Sequence, residues 1–530
     1  MSVLFVLLPK RGARGKVRDM SLKKSLRSFG AYVLPAVVFM TGACVLVVEV
    51  AAVRVLAPYF GSTLFTVSSV LGVVLGALSL GYFFGGRLAD RKPKVSYFYW
   101  LIAVSGLAVV ASGLLAEILL PLFGYMLPLS VGPLLASIFL FLVPSALLGT
   151  LSPFAVVLQQ SFRPEVGVGK VSGTIFFWST LGSISGSLLA GFALIPYFGV
   201  RSVIFLVGVV LILLGLCGLV VYRSPWPTVG RIVGIAVLLV LVWFRFDSLL
   251  TRQNYVYRQD GVYERLTVVD GTYKSRPTRF FYQDLSSSGA MHLDTGTTAY
   301  NYSHFYEAYK AFSPQADRAL VLGGGAYLIP KAILAEFPAS STVDVVEIEP
   351  TLYDLAQKYF GLETDSRLHN HVTDGRRFLA DSPGGYDLIF SDVYHSLYSV
   401  PSHFTTQEFY RLAESRLAPE GVFMANIIGD MSDDSLSLAL SSMRTFRTVF
   451  PNSYFFAVES PEQEDAQNII FVGYKSDRVV DFSNHAVPFV RGLSARLIDP
   501  DRFDYGKQIV LTDDFAPTDR MVAAMLRRLK

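Results

Sequence analysis

Long runs of apolar residues dominate the first half of the chain, from Ala31 to Phe244. A helix that crosses the hydrocarbon core of a bilayer needs about 20 such residues. The pattern therefore predicts a multi-pass α-helical membrane domain over residues 31–246. Its segments lie near residues 31–53, 63–86, 97–119, 133–158, 172–196, 201–222 and 229–246.

The segment near 229–246 is the weakest of these spans. Its apolar core, Ile232–Phe244, is short and lies between Arg231 and Arg245. The two arginines can extend their head groups to the interface and so complete a span. Alternatively, this segment lies in the membrane interface, or the segment 133–158 is re-entrant. These alternatives decide whether the number of spans is odd or even.

Basic residues gather on one side of the predicted helices. A basic arm over residues 1–30 precedes the first span, and the loops after the second, fourth and sixth spans also carry Lys and Arg. Because cytoplasmic loops are enriched in these residues, the bias places the N-terminus in the cytoplasm. An odd number of spans then puts the rest of the chain outside, and an even number puts it inside.

Composition agrees with a partly lipid-solvated protein. Hydrophobic residues make up 52% of the chain and charged residues only 17%, whereas soluble domains carry about 25% charged residues. The net charge of +4 predicts no nucleic-acid partner. Cys44 and Cys217 both lie in apolar stretches, which excludes a disulfide framework, and the spacing of the histidines predicts no metal site.

After Asp247 the apolar runs shorten and charges become frequent. Over residues 247–300 apolar and polar positions alternate, which is typical of a small antiparallel β region. Turns are expected at Asp270-Gly271 and Ser288-Gly289. The strands are predicted at Tyr263–Val269, Phe280–Leu285 and Met291–Leu293.

Residues 301–530 alternate short apolar strands with helical patterns. This order predicts an α/β, Rossmann-like domain with a parallel sheet that is covered on both faces. Ligands of such sheets bind beyond the carboxyl ends of the strands. The predicted strands are Ala319–Leu322, Val343–Glu347, Leu368–Thr373, Tyr386–Asp392 and Val422–Ile428.

Chemistry-bearing residues collect at these strand ends. Gly323-Gly324-Gly325 follows the first strand and lets the backbone approach a ligand closely. Glu347 ends the second strand, where an acid can accept both hydroxyls of a ribose. Asp374 follows the third strand and Asp392 ends the fourth. Each acid alone is equally well explained as a helix N-cap, but the set predicts a nucleoside site.

Taken together, these motifs resemble the membrane-fused branch of the spermidine synthase family of polyamine aminopropyltransferases. In the soluble half the similar motifs are Leu322-Gly323-Gly324-Gly325, Val346-Glu347-Ile348-Glu349, Asp374-Gly375, Tyr386–Asp392 and Glu408-Phe409-Tyr410. In the remaining chain they are Glu49 with Arg54, Pro58–Gly61, Gly85–Arg91, Gly182–Gly191 and Leu511–Pro517.

The resemblance implies a Rossmann-like domain of the class I methyltransferase type and an adenosyl-sulfonium cosubstrate. Gly323, Gly324, Gly325, Glu347 and Asp374 would bind its nucleoside, and no metal is implied. Asp392 would be the catalytic acid that orients and deprotonates an attacking amine. The resemblance therefore implies a membrane-anchored transferase that moves an aminopropyl group onto an amine.

The chain departs from the family pattern mainly where the amine would bind. The glycines are followed by Ala326 instead of an acid, and His395 stands where the family has a second acid. Tyr263-Glu264 replaces the usual Tyr-Gln pair. Candidate acceptor-binding residues are Tyr394, His395, Tyr263 and Glu264. These differences leave both the amine and the cosubstrate open, decarboxylated S-adenosylmethionine or S-adenosylmethionine itself.

Two other functions remain alternatives. One is an S-adenosylmethionine-dependent methyltransferase, since the sheet and the nucleoside residues serve both reactions. The other is a non-catalytic, nucleoside-sensing transporter or scaffold. The expected partners are the lipid bilayer, a small or membrane-delivered amine and a second copy in a homodimer. Because adenosyl-sulfonium compounds are expected in the cytoplasm, we expect the soluble domain there, against the bias of the charges for an odd span count.

Overall fold

The computed structural model describes the backbone of residues 15–250, 255–394, 400–476, 478–483 and 485–528. Side chains are described in these ranges from Gly30 onward, except over 246–250. The chain divides into two compact units. The first unit holds residues 1–52, 70–118 and 137–245, and the second holds 53–69, 119–136 and 246–530.

Helices fill the N-terminal half. Within the described residues, seven helical stretches are long and apolar enough to cross a membrane. They match the seven predicted segments, and they include the weakest one, as Trp226–Arg245. The helices are α1 (Gly15–Phe60), α2 (Leu64–Arg91), α3 (Val95–Met126), α4 (Gly132–Gly149), α5 (Leu151–Phe162), α6 (Val168–Leu189), α7 (Ile195–Phe198), α8 (Val200–Val221) and α9 (Trp226–Leu250), and a π-helical turn, Ala190–Leu194, joins α6 to α7.

Glycines set the closest helix contacts of the first unit. A Cβ on Gly182 of α6 would lie 2.0 Å from the carbonyl oxygen of Phe39 on α1. A Cβ on Gly81 of α2 would lie 2.2 Å from the carbonyl oxygen of Ala146 on α4. Without a side chain at these points, two backbones approach closely enough to pack in the absence of a hydrophobic driving force between helices.

The β region that precedes the α/β domain is a four-stranded antiparallel sheet in the order β1-β2-β3-β4. Polar side chains bind across its pairs, as where Arg279 Nε donates to Asp270 Oδ1 at 2.7 Å. The strands are β1 (Tyr255–Asp260), β2 (Arg265–Tyr273), β3 (Arg276–Gln283) and β4 (Ser286–His292).

Both turns predicted for this region are wrong. Asp270-Gly271 lies inside β2, and Ser288-Gly289 lies inside β4. The chain reverses instead at Lys274-Ser275 and near Asp284, which adopt positive φ of 48°, 65° and 54°. Gly289 has a different role, because a Cβ there would lie 2.8 Å from the Cβ of Ala326. A glycine is therefore required at position 289 because the strand packs closely against Ala326, and not because the chain reverses there.

The α/β domain holds a seven-stranded sheet in the order β10-β11-β9-β8-β5-β6-β7. β5 pairs in parallel with β6 on one side and with β8 on the other. The chain therefore leaves β5 in one direction and later returns to its other edge, which creates the crevice where such folds bind ligands. The strands are β5 (Arg318–Leu322), β6 (Thr342–Glu347), β7 (Leu368–Val372), β8 (Tyr386–Ser391), β9 (Leu417–Gly429), β10 (Ser453–Ala457) and β11 (Gln467–Tyr474).

Helices cover both faces of this sheet. Val321 of β5 belongs to one buried cluster, whereas its neighbours Leu320 and Leu322 belong to the other. This explains the continuous apolar strand, because successive side chains point to opposite, covered faces. The helices are α10 (Tyr309–Phe312), α11 (Leu328–Glu336), α12 (Leu352–Tyr359), α13 (Gly375–Asp381), α14 (Gln407–Arg416), α15 (Leu438–Arg447), α16 (Pro488–Gly492) and α17 (Thr518–Arg528).

Candidate functional site

A tight glycine turn connects β5 to α11. Gly323 and Gly325 adopt positive φ of 91° and 51°, which a residue with a side chain rarely does. A Cβ on Gly323 would also lie 2.3 Å from the carbonyl oxygen of Asp392. The first glycine thus lets the end of β8 approach the end of β5.

Glu347 fixes this turn from the end of β6. Its Oε2 accepts hydrogen bonds from the amides of Gly324 at 2.8 Å and Gly325 at 3.3 Å. Its Oε1 accepts one from the amide of Glu349 at 2.9 Å. Burial raises the pKa of Glu347, while these backbone hydrogen bonds act to lower it. Because a carboxylate offers about four lone pairs, acceptor capacity is left for a ligand.

Asp374 serves as the N-cap of α13. Its Oδ1 accepts a hydrogen bond from the amide of Arg377 at 2.8 Å, so the structural explanation considered for this acid is confirmed. Its Oδ2 lies 3.7 Å from Nε2 of His403. Both residues line the same cavity as Glu347, and the N-cap hydrogen bond uses only one of the two carboxylate oxygens.

Asp392 lies directly after β8, where it is half-buried and lines the same cavity. Its Oδ1 accepts a hydrogen bond from Nδ2 of Asn426 at 2.8 Å, and the hydroxyl of Tyr302 binds the same carboxylate. Burial raises the pKa of Asp392 to about 6, against the lowering effect of the two hydrogen bonds. The group therefore changes charge near neutral pH, as a proton acceptor should.

The sequence interpretation missed Tyr302 and Asn426. Tyr302 lies in a 3-10 helix, Asn301–Ala308, and reaches Asp392 only through the fold. Asn426 gave a signal that could have been used, because it is a polar residue inside the apolar strand β9 and is only 3% exposed. A buried amide needs hydrogen-bond partners, and here one partner is the candidate catalytic acid.

The candidate acceptor-binding residues have different surroundings. Tyr263, Glu264 and Tyr394 line the cavity together with the nucleoside residues. The Tyr394 hydroxyl also donates to the carbonyl of Asn426 at 3.1 Å and accepts from the amide of Ile428. It is therefore committed to β9. His395 lies outside the described residues.

The candidate residues that the structure describes meet in one cavity of about 510 Å³, within the range of small-molecule sites. No Lys or Arg side chain occurs among its described lining residues. Carboxylates lie along it from end to end. They are those of Glu264, Glu347, Glu349, Asp374, Asp392 and Glu459.

Tyrosines form part of the cavity wall beside Asp392. Tyr302 stacks on Tyr300 with ring centroids 6.2 Å apart, and Tyr273 meets Tyr300 edge to face at 5.6 Å. All three rings line the cavity. Aromatic faces attract cations, so this wall adds to the attraction that the carboxylates exert.

Residues 306–484 match the family model of the spermine/spermidine synthase domain. Glu347, Asp374 and Asp392 lie within the match, whereas β1–β4 and Tyr302 precede it. The chain therefore contains a spermidine synthase domain, and the resemblance inferred from its motifs is confirmed.

Relatives with named activities match parts of the chain that differ in extent. A polyamine aminopropyltransferase 2 of Streptomyces coelicolor is 28% identical over 74% of this chain and 73% of its own length. A polyamine aminopropyltransferase of Oceanobacillus iheyensis is 23% identical over 53% of this chain, which spans 57% of that relative. The human eEF1A lysine and N-terminal methyltransferase is 32% identical, but over only 28% of this chain and 22% of its own.

Among solved structures, a probable spermidine synthase from Corynebacterium glutamicum is similar to this chain. It is 23% identical, and the match covers 48% of this chain and 95% of that one with a TM-score of 0.40.

Proposed function

We propose, from the spermidine synthase domain at residues 306–484, that this protein is a membrane-anchored aminopropyltransferase. It would move the aminopropyl group of decarboxylated S-adenosylmethionine onto an amine. The apolar helices α1–α9 would hold it in a bilayer, since seven of their stretches are long enough to span one.

The observation that carries this proposal is the charge of the cavity. Six carboxylates line it, without a Lys or Arg among its described lining residues. Decarboxylated S-adenosylmethionine has a sulfonium and an ammonium and no acid group, and an amine acceptor is cationic when protonated. Both substrates therefore complement the cavity, because opposite charges at low dielectric attract strongly.

The nucleoside would lie across the ends of β5, β6 and β7. Glu347 would accept one ribose hydroxyl with the lone pair that its three backbone hydrogen bonds leave free. The second oxygen of Asp374, beside His403, would accept a hydrogen bond from the adenine amino group. The backbone at Gly323–Gly325 would approach the ligand without a Cβ in the way.

Asp392 would then act at the reacting centre. The neutral amine uses its lone pair to attack the carbon next to the sulfonium, and the carbon–sulfur bond breaks with its electron pair on sulfur. The new nitrogen–carbon bond leaves the nitrogen positively charged, and its proton passes to Asp392. A carboxylate with a pKa of about 6 is suited to this transfer near neutral pH, and holding both reactants adjacent supplies a large further part of the rate.

Methyl transfer from intact S-adenosylmethionine is the second candidate, favoured by the similarity to the human methyltransferase. Intact S-adenosylmethionine carries an additional carboxylate. The cavity offers that group no Lys or Arg among its described lining residues and places several acids near it. Like charges in a buried site repel, so the lining favours the decarboxylated compound.

Calorimetric binding to the detergent-purified full chain tests the proposal. Decarboxylated S-adenosylmethionine should bind at least tenfold more tightly than the intact form, and aminopropyl transfer to a panel of amines should follow by mass spectrometry. Tighter binding of the intact compound together with methyl transfer would replace the proposal by the second candidate. Binding of neither would support the non-catalytic alternative.

A further inference from the structure

A chain of two amides leads from β11, the second strand from the edge of the sheet, to Asp392. Asn468 of β11 donates from Nδ2 to Oδ1 of Asn426 on β9 at 3.0 Å. Asn426 in turn donates from Nδ2 to Oδ1 of Asp392 at 2.8 Å. The antiparallel pairing of Asn468 with Ile428 keeps the two amides in register.

The direction of this chain follows from hydrogen-bond chemistry. An ionised carboxylate can only accept, so Asn426 must present its NH₂ group to Asp392. Its carbonyl oxygen then points the other way and needs a donor, which Asn468 supplies. Asn468 therefore determines which end of the Asn426 amide faces the acid, although it is not itself bonded to Asp392 in the structure.

Few other groups near Asp392 can stabilise its ionised carboxylate. Tyr302 donates a hydrogen bond from the 3-10 helix, and Tyr394, in the segment after β8, is bound to the backbone of β9. Glu347 and Asp374 line the same cavity from the ends of β6 and β7, and the described lining contains no Lys or Arg. The described lining thus offers no Lys or Arg to keep the acid ionised, and its histidine, His403, lies beside Asp374 at 3.7 Å.

We infer that Asn426 and Asn468 form an amide relay of positioning residues, which keeps Asp392 ionised and aimed at the amine that it deprotonates. The inference rests on the proposed function, because the relay has this purpose only if Asp392 accepts a proton. The donated hydrogen bond stabilises the charged form of the carboxylate, which burial alone would suppress.

The substitution Asn468→Asp tests the relay without touching Asp392 or Asn426. A carboxylate at position 468 can only accept, so it draws the NH₂ group of Asn426 toward itself. The carbonyl oxygen of Asn426 then faces Asp392, and a donor is replaced by an acceptor. Asp392 should hold its proton to higher pH, and the active, ionised form should appear later as the pH rises.

The expected result is a displaced pH profile of kcat/KM. The acid limb of Asn468→Asp should move up by about one pH unit, which gives about fivefold lower activity at pH 6 and recovery by pH 9. Asn426→Leu, which removes the donor, should shift the limb in the same direction. A limb that stays in place in both variants, or a loss that is equal at every pH, would overturn the relay.

A double variant separates the relay from the added negative charge. If Asn468→Asp acts through the Asn426 amide, adding it to Asn426→Leu should change the profile little further. If the charge at position 468 acts directly on Asp392, the second substitution should shift the limb as much as it does alone, and the relay would be rejected.

Binding measurements keep the relay separate from the proposed function. Methylthioadenosine, the neutral thioether left after aminopropyl transfer, reports an intact site at any pH. As the pH is lowered and Asp392 is protonated, decarboxylated S-adenosylmethionine should lose affinity relative to methylthioadenosine. In Asn468→Asp this loss should occur at a higher pH than in the wild type. A wild-type protein that binds both compounds without transferring the group would refute the proposed function. An unchanged ratio in the variant would refute the relay.

Discussion

Asp392, at the scale of one residue, lowers the stability of the folded protein because its pKa is raised. Its ordinary pKa is 3.8, and burial raises it to about 6 in the folded chain. Below pH 4 the group is neutral in both the folded and unfolded states and costs nothing. Between pH 4 and 6 the unfolded chain ionises this carboxylate in water while the folded chain still holds the proton, so stability is lost across this interval and the loss is complete above pH 6. At neutral pH the difference amounts to roughly 3 kcal/mol of lost stability.

Asp392→Asn should therefore stabilise the protein while it abolishes the proton acceptor. We expect a higher free energy of unfolding at pH 8, a gain that disappears toward pH 4, and transfer reduced by about 10²–10⁴-fold. Scanning calorimetry at several pH values and a transfer assay measure the two effects. Asp381→Asn is the matched control, since that side chain is 75% exposed. A variant that is less stable than wild type at pH 8 would contradict the argument.

Glu347 should be required for nucleoside binding because both of its oxygens accept hydrogen bonds, and a side chain of the same shape should not replace it. Glu347→Gln keeps the volume but places an NH₂ group where the carboxylate accepts backbone amides of the glycine turn. We expect methylthioadenosine to bind at least tenfold more weakly, because the turn loses an acceptor. Glu363→Gln, at an exposed position, should bind it like wild type. Equal affinity in both variants would remove Glu347 from the site.

Residue identities could be predicted at strand ends but not across the fold. Glu347, Asp374 and Asp392 follow directly from the order of strands, because carboxyl ends of parallel strands share one edge. Tyr302 and Asn426 could not be assigned this way. Tyr302 stands 90 positions before Asp392 in the chain, and only the packing of the 3-10 helix brings the two together.

At the scale of elements, α6 offers a matched pair of glycines. A Cβ on Gly182 would collide with the backbone of α1, whereas a Cβ on Gly173 meets nothing within 4 Å. Gly182→Ala should separate the two helices and lower the thermal stability in detergent. Gly173→Ala should leave it equal or higher, because alanine favours helix by about 1 kcal/mol over glycine. Equal thermal midpoints for the two variants would argue against close packing of α1 and α6.

A second element-scale contact ties the C-terminal segment to α13. Arg376 donates from both terminal nitrogens to Asp513, at 2.7 and 2.5 Å, and Thr406 donates to the same carboxylate. The hydrogen bond from Arg376 is the main reason that the pKa of Asp513 is lowered. The contact thus holds above the usual pKa of an aspartate and fails as the pH falls through the lowered one.

Asp513→Ala should loosen the nucleoside end of the cavity, because Arg376 also donates to the carbonyl of His403. We expect several-fold weaker binding of methylthioadenosine, whereas its neighbour Asp514→Ala should bind normally. Calorimetry on the two variants compares them directly. Identical affinities would show that the segment after α16 does not support the site.

The elements themselves could be predicted where periodicity is strong. The seven apolar segments all lie in helices, although α1 and α3 end seven residues beyond the predicted ends and α1 begins at Gly15. The first five strands of the α/β domain agree with the structure to within one residue, except that β9 begins at Leu417. The hairpin turns could not be predicted, because Asp-Gly and Ser-Gly pairs favour turns but here lie inside strands. Contacts between strands and the glycine turn determine their place, and these depend on distant residues.

At the scale of the whole molecule, seven candidate spans would put the N-terminal arm and the α/β domain on opposite faces of a membrane if all of them cross it. The Lys and Arg bias places the arm in the cytoplasm. Spans and charges together then predict an α/β domain outside, whereas the expected source of its substrates predicts one inside. A cytoplasmic domain would require one of the seven helices not to cross.

Cysteine labelling in intact cells decides between these arrangements. In a background with Cys44→Ala and Cys217→Ala, we expect both Asp381→Cys in the α/β domain and Lys94→Cys, between α2 and α3, to react with an impermeant maleimide only after lysis. This result would show a cytoplasmic α/β domain and an even number of spans. Reaction of Asp381→Cys alone in intact cells would place the α/β domain outside, and reaction of Lys94→Cys alone would invert the orientation.

The lining of the cavity also affects its selectivity among the adenosine compounds of a cell. Adenosine occurs in living cells mostly as part of phosphorylated compounds, which share its base and ribose and greatly outnumber any sulfonium. Recognition of the nucleoside alone could not distinguish the phosphorylated compounds from the sulfonium compounds. A wall of carboxylates without a described Lys or Arg repels every phosphate tail and admits a cationic one. The same charges that favour the reactants would thus keep ATP from occupying the nucleoside site.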